Sequence, residues 1–185
     1  ARRRIFSNIE GRLAYNLRRM SVGNVTAEAP ADVVTEGNAG ARVISSVSAS
    51  LTYDTRDEYN FPTKGSRISL TEELAGNGLG GEVKYLKSEL RTGRWFLVSP
   101  TAEQTIGVIG RAGFFTGTGG YLPFYERFYL GGAYDMRGFG YNDVGAYSTY
   151  DTSHGYQPMG GMTYGYLSAE YTIKAAENLR FAAFY

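Results

Sequence analysis

Val43-Ile44-Ser45-Ser46-Val47-Ser48-Ala49-Ser50-Leu51-Thr52-Tyr53 carries two interleaved series of residues. Val43, Val47, Ala49, Leu51 and Tyr53 fall on one, and Ser46, Ser48, Ser50, Thr52 and the following Asp54 on the other. A period of two predicts a strand with one oily and one polar face. The same period returns along the chain. Between Ile5 and Leu17 the odd positions Ile5, Ile9, Leu13, Tyr15 and Leu17 oppose Asn8, Glu10, Arg12 and Asn16. From Lys64 to Ala75, Ile68, Leu70 and Leu74 are in phase, with Glu72 on the oily side. Further strands are predicted over Glu82–Val98, Ala102–Thr116, Met162–Ile173 and Leu179–Tyr185. The fifth sets Ile106, Val108, Ala112 and Phe114 against Glu103, Thr105 and Arg111, and the sixth sets Leu167, Ala169, Tyr171 and Ile173 against Tyr164, Tyr166, Ser168 and Glu170.

Composition points the same way. With 25 glycines and 16 tyrosines, the chain favours strands and tight turns over helices, and no helix is expected. A formal net charge of +1 gives no support for a nucleic-acid partner. The run Arg2-Arg3-Arg4 reads as a solvated strand end. The absence of cysteine removes disulfides, thiolate metal sites and cysteine nucleophiles together. No run reaches the roughly 18 apolar residues of a membrane helix, so any membrane span must be made of strands.

Several predicted strands meet the roughly 9–11 residues that a tilted strand needs to cross a bilayer. The links between them run long at 24–40, intermediate at 54–63, short at 76–81 and 99–101, very long at 117–160 and short at 175–178. The two longest fall on the same side, as the external loops of an outer-membrane barrel do. Tyr53, Phe61, Trp95, Phe96, Phe114 and Phe115 stand near strand ends and suit an interfacial girdle. The expected fold is therefore all-β, an antiparallel transmembrane β-barrel. About seven strands cannot close one, because open edges in lipid leave backbone groups unpaired. The expectation is that residues 1–185 are a fragment of a larger barrel domain.

The longest link contains Gly131-Gly132-Ala133-Tyr134-Asp135-Met136-Arg137-Gly138-Phe139, one arginine set among small and aromatic residues. Taken with Pro123-Phe124-Tyr125-Glu126-Arg127-Phe128-Tyr129-Leu130 before it, this stretch resembles the sixth extracellular loop of BamA-type outer-membrane protein assembly factors. Leu51-Thr52-Tyr53-Asp54-Thr55-Arg56-Asp57 and Phe61-Pro62-Thr63-Lys64-Gly65-Ser66-Arg67 resemble a strand and periplasmic turn of the same barrel. The family usually places valine or leucine where Met136 stands.

The resemblance implies the middle-to-late strands of a sixteen-stranded barrel, with the first and last strands and the periplasmic repeats lying outside this chain. It implies that the loop folds into the lumen and that Arg137 pairs with Glu170 on the wall; a second family carboxylate would follow Tyr185. Gly138 would turn the backbone where a side chain would collide, and Phe139 would pack on the wall. Gly131, Gly132, Phe128 and Tyr129 would support the loop. The implied function is an insertase, not an enzyme, that inserts β-barrel clients into a bacterial outer membrane without ATP. No cofactor or metal is implied. Its partners would be membrane lipid, unfolded clients and accessory lipoproteins, with no nucleic acid. The alternatives are a two-partner secretion or translocation channel, and a soluble antiparallel sheet protein that binds a ligand.

Other patterns carry less. Gly76-Asn77-Gly78-Leu79-Gly80-Gly81 has the glycines of a dinucleotide loop but no helix after it, and reads as a hairpin turn. Asp54, Asp57 and Glu58 lack calcium-loop spacing and read as charge pairing beside Arg56. His154 is the sole histidine, too little for a triad or a histidine metal cluster, and Asn24-Val25-Thr26 is a chance glycosylation sequon.

Overall fold

The computed structural model describes residues 2–26, 28–101, 103–119, 122–148, 155–176 and 179–185. His154 lies outside them, as do the side chains of Arg2, Arg4 and Ile5. Eight strands form one antiparallel sheet in chain order: β1 (Arg2–Phe6), β2 (Ile9–Met20), β3 (Arg42–Asp54), β4 (Gly65–Ala75), β5 (Tyr85–Ser99), β6 (Gln104–Gly117), β7 (Thr163–Ala176) and β8 (Leu179–Phe184). Because each strand pairs only with its neighbours in sequence, the sheet is an open meander with β1 and β8 at its edges. The long links β2–β3 and β6–β7 emerge at the same end.

The eighth strand comes from a hairpin inside the predicted first strand. The chain reverses at Ser7-Asn8, pairing Arg3 with Gly11 and Arg4 with Glu10. Those pairs join positions of like parity, but the register shifts between Arg4 and Phe6, and Phe6 pairs with Ile9. A period of two cannot reveal such a reversal. The helix α1 (Ala31–Ala39) in the β2–β3 link was likewise not expected. Its one fully buried side chain is Glu36, held by Arg42 at 3.0 Å, so no apolar stripe announces it.

Faces follow phase. Leu13, Leu17, Leu51, Ile68, Leu70, Leu90, Phe114 and Leu167 are all exposed on one side of the sheet. The other side lines a polar cavity of 820 Å³ bounded by Arg12, Ser50, Thr71, Glu89, Arg91 and Arg111. Hydroxyl ladders cross it, Ser50 to Thr71 at 2.8 Å and Thr52 to Ser69 at 2.9 Å. An exposed apolar face around a polar interior is the inverse of a soluble sheet and is what lipid requires. Glu72 does sit on the oily face, where the Ser88 hydroxyl donates to its carboxylate.

The girdle needs correction at two positions. Tyr53, Phe96 and Phe114 face outward and are exposed, but Trp95 and Phe115 point inward. Neighbours on a strand take opposite faces, so only one of Trp95–Phe96 and one of Phe114–Phe115 can meet lipid. Trp95 instead lies against the inner backbone, where a Cβ on Gly93 or Gly107 would come within 2.5 or 2.9 Å of its ring. Phe115 sets its ring edge-on to Tyr85 at 5.2 Å. With Ile44, Ala75 and Val83 the pair forms a small core inside the wall at the long-loop end, packed by Leu122, Tyr125 and Phe128 of the β6–β7 loop.

At the opposite end the β3–β4 turn is tightly bound. Asp54 takes a 2.7 Å ion pair from Arg56, whose guanidinium lies 5.5 Å from the Trp95 ring centre. Phe61 of the same turn meets the Arg180 guanidinium of β8 at 4.9 Å. Asp57 accepts the Thr63 hydroxyl and the backbone N–H groups of Glu58, Thr63 and Lys64. Its slight burial raises its pKa, but those hydrogen bonds outweigh it and hold the carboxyl at about 2, below its ordinary 3.8. A depressed carboxylate stabilises above its unfolded pKa and loses that contribution as pH falls through the folded one. Amide protection over residues 57–64, measured against free amides at the same pH, is therefore expected to hold down to about pH 4 and to fall towards pH 2, while Asp57→Asn lowers it at neutral pH. An Asp57→Asn turn as protected as the native one at pH 7 would refute this.

Candidate functional site: the β6–β7 loop on the inner wall

The β6–β7 loop is folded on itself rather than extended. Pro123 leads into a single 3₁₀ turn, Phe124–Glu126. Isolated bridges then tie Phe128 to Gly161, Leu130 to Val144 and Tyr147 to Pro158. The Tyr129 hydroxyl donates to the Phe124 carbonyl at 3.0 Å. Gly131 and Gly132 have φ of +114° and +103°, and a Cβ on Gly131 would stand 2.3 Å from the Gly140 carbonyl oxygen. Both dihedral and space demand glycine at 131.

Beyond this bend the chain makes a turn, Phe139 N–H donating to the Met136 carbonyl at 3.3 Å, that presents Arg137 to the wall. Arg137 donates through Nη2 to Oε2 of Glu170. Glu170 lies on the inner face of β7, opposite Phe184 of β8, and the Phe184 ring centre is 3.9 Å from the Arg137 guanidinium carbon. A planar cation that cannot lose its charge suits both partners at once.

Two expected details differ. Gly138 has φ +96° but open space around a built Cβ, so the dihedral, not crowding, calls for glycine. Phe139 is 55% exposed, and the aromatic contact to Arg137 comes from Phe184 instead. The bend at Gly138 carries residue 139 away from the wall.

The loop has other attachments that no motif in the sequence marks. Two residues before Arg137, Asp135 accepts an ion pair from Arg111 of β6. At the base, Oε1 of Glu126 is 3.1 Å from the Arg18 guanidinium of β2. Arg18 also donates to the Tyr85 hydroxyl at 3.2 Å, and that hydroxyl donates to Glu73 at 2.9 Å with Glu126 Oε2 3.4 Å away. Lys87 Nζ donates to the Glu126 carbonyl at 2.8 Å and stands 4.7 Å from the Phe128 ring centre. Arg127 pairs with Asp32 of α1 at 2.6 Å. Phase alone puts Arg18, Glu73, Lys87 and Arg111 on the inner face; it says nothing of which loop residue each meets.

Burial ranks these contacts. Arg137 and Glu170 have side chains 37% and 28% exposed, so solvent screens the pair to about 0–1 kcal/mol. Glu126 is 5% exposed while its partner Arg18 is 40% exposed, so losing Arg18 leaves one buried carboxylate short of a partner and costs about 1–3 kcal/mol.

Residues 2–185 match the Omp85 superfamily domain. The chain belongs to the Omp85 superfamily. Among Omp85-related proteins it is 33% identical over 135 residues to a SAM50-like protein of Schizosaccharomyces pombe, covering 72% of this chain and 28% of that protein. It is 32% identical over 128 residues to the outer membrane protein assembly factor BamA of Neorickettsia risticii, covering 69% of this chain and 16% of that protein. The crystal structure of BamA from Haemophilus ducreyi lacking POTRA domains 1–3 superposes with a TM-score of 0.79 at 19% identity, over 97% of this chain and 38% of that one. The Omp85 sheet is thus part of a BamA-type barrel of an outer membrane, and the soluble-sheet alternative falls away. The chain spans less than a third of the length of the curated Omp85 relatives it matches.

Proposed function

We propose that the protein carrying this chain folds and inserts β-barrel proteins into a bacterial outer membrane without ATP, and that the β6–β7 loop braces the barrel while client strands enter. The observation that carries the reading is the Arg137–Glu170 pair, which ties a lumenal loop to the wall beside β8. An insertase needs no chemistry of its own. The free energy comes from pairing client strands and burying their apolar faces, and the barrel contributes a strand edge that templates the pairing. A wall that opens at a seam must hold its shape elsewhere, and a loop anchored to β6 and β7 supplies that stiffness. Its partners are membrane lipid, unfolded barrel clients and accessory lipoproteins.

Arg137→Ala in the full-length protein tests it. Because both side chains of the pair are about one-third exposed, barrel stability should change by no more than about 1 kcal/mol, while assembly of a reporter client into proteoliposomes falls several-fold. Glu170→Gln should reproduce the defect. Unchanged client assembly in both variants would sink the bracing role.

A further inference from the structure

We infer that the β6–β7 loop is held by two separable anchors: a permanent one at its base, where Glu126 and Arg127 are clamped between the inner wall and α1, and a releasable one at Arg137. This deepens the bracing role proposed above and depends on it only for its consequence in client assembly.

The two ends differ in kind. At the base, consecutive residues are gripped from opposite sides, Glu126 by Arg18 and Tyr85 of the wall and Arg127 by Asp32 of α1. The Glu126 carbonyl takes the Lys87 ammonium, and Phe128 sets its ring against Tyr164 of β7 at 4.7 Å. These contacts reach β2, β5, β7 and α1, and the Glu126 carboxylate has almost no access to water. Release would strand the Glu126 carboxylate, whose side chain is 6% exposed, and leave Arg127 largely buried, although their partners Arg18 and Asp32 keep access to water.

At the tip, Arg137, Glu170, Arg111 and Asp135 all keep side chains between 23% and 37% exposed. Water can solvate each of them on parting, so release leaves nothing buried and unpaired. Between the ends stand Gly131 and Gly132, both at positive φ, the residue type that best absorbs a change of backbone direction. The tip can therefore swing about this pair while Glu126 stays seated. The consequence is a brace that lets go of β6 and β7 without leaving the lumen.

Hydrogen exchange of the full-length protein in nanodiscs separates the ends, since each has its own amide bonds: Glu126 and Arg127 N–H to Pro123 and Phe124, Phe128 N–H to Gly161, and Asp135 and Phe139 N–H to Gly132 and Met136. Arg137→Ala is expected to speed exchange over residues 133–143 and to leave 124–130 as protected as in the native protein. Glu126→Gln should speed exchange over 124–130 by about tenfold or more. Arg18→Gln should give the same pattern, and the double variant less than the sum of the two, because both break the Glu126–Arg18 pair. Exchange that spreads from 133–143 to 124–130 in Arg137→Ala would show a loop that lifts as one body and would overturn the inference. Native protection at 124–130 in both Glu126→Gln and Arg18→Gln would do so too. Accelerated exchange confined to 133–143 in Arg137→Ala with client assembly intact would uphold the two anchors and refute the bracing role instead.

Discussion

Tyr85→Ala is expected to lower barrel stability by about 3–5 kcal/mol, the cost of emptying a packed aromatic site, measured as a shift in the urea midpoint of the refolded full-length protein. Tyr85 is fully buried, edge-on to Phe115, and joins the wall to the loop. Its ring fills the small core at the long-loop end, and its hydroxyl bridges Arg18 and Glu73 beside Glu126. Tyr85→Phe separates the two contributions. It keeps the ring and loses only the hydroxyl, leaving the charged groups to rearrange, for about 1–3 kcal/mol. A Tyr85→Ala protein no less stable than Tyr85→Phe would show that the core there contributes nothing beyond the polar cluster.

Gly131→Ala is expected to displace the loop tip and to impair client assembly more than Gly138→Ala does. Both residues have positive φ, where a side chain costs about 1–3 kcal/mol. Gly131 adds a collision, because its Cβ would meet the Gly140 carbonyl oxygen at 2.3 Å and the Asp143 nitrogen at 3.1 Å. Gly138 has open space at the same point, so alanine there strains the dihedral alone. Backbone atoms cannot rotate away, so the clash at 131 must move the chain that carries Arg137. Exchange rates over residues 133–143 report the displacement; equal rates in the two variants would contradict the argument.

The wall was legible in the residue order because a half-buried strand writes its two faces directly as alternation. Leu167, Ala169 and Tyr171 against Ser168 and Glu170 needed no partner strand to be read. The Ser7-Asn8 reversal was not legible, since no glycine or proline marks it and the register shift between Arg4 and Phe6 falls where the strand is short. Helix α1 was hidden for another reason: its buried residue is Glu36, which only the guanidinium of Arg42 makes acceptable. Trp95 and Phe115 stand near strand ends yet face inward, because strand phase, not closeness to an end, sets the face.

In the site the division is sharper. That Arg137 would meet Glu170 came through resemblance to a family, supported by the inward phase of Glu170. Phase and composition alone could not pair them. Residues 126 and 18, 127 and 32, or 135 and 111 meet only because a long loop turns into the lumen, and sequence pattern carries no record of where such a loop lands.

By itself, then, the sequence determined the strands, their two faces, the common end of the long links and the glycine-flanked arginine, because each is a local consequence of backbone period or residue type. Only the tertiary structure decided which inner-wall charges take the loop, that Glu126 is the buried anchor and that Phe184, not Phe139, covers Arg137. Those choices depend on distances between segments far apart in the chain, set by the curvature of the sheet and the path of the loop within it.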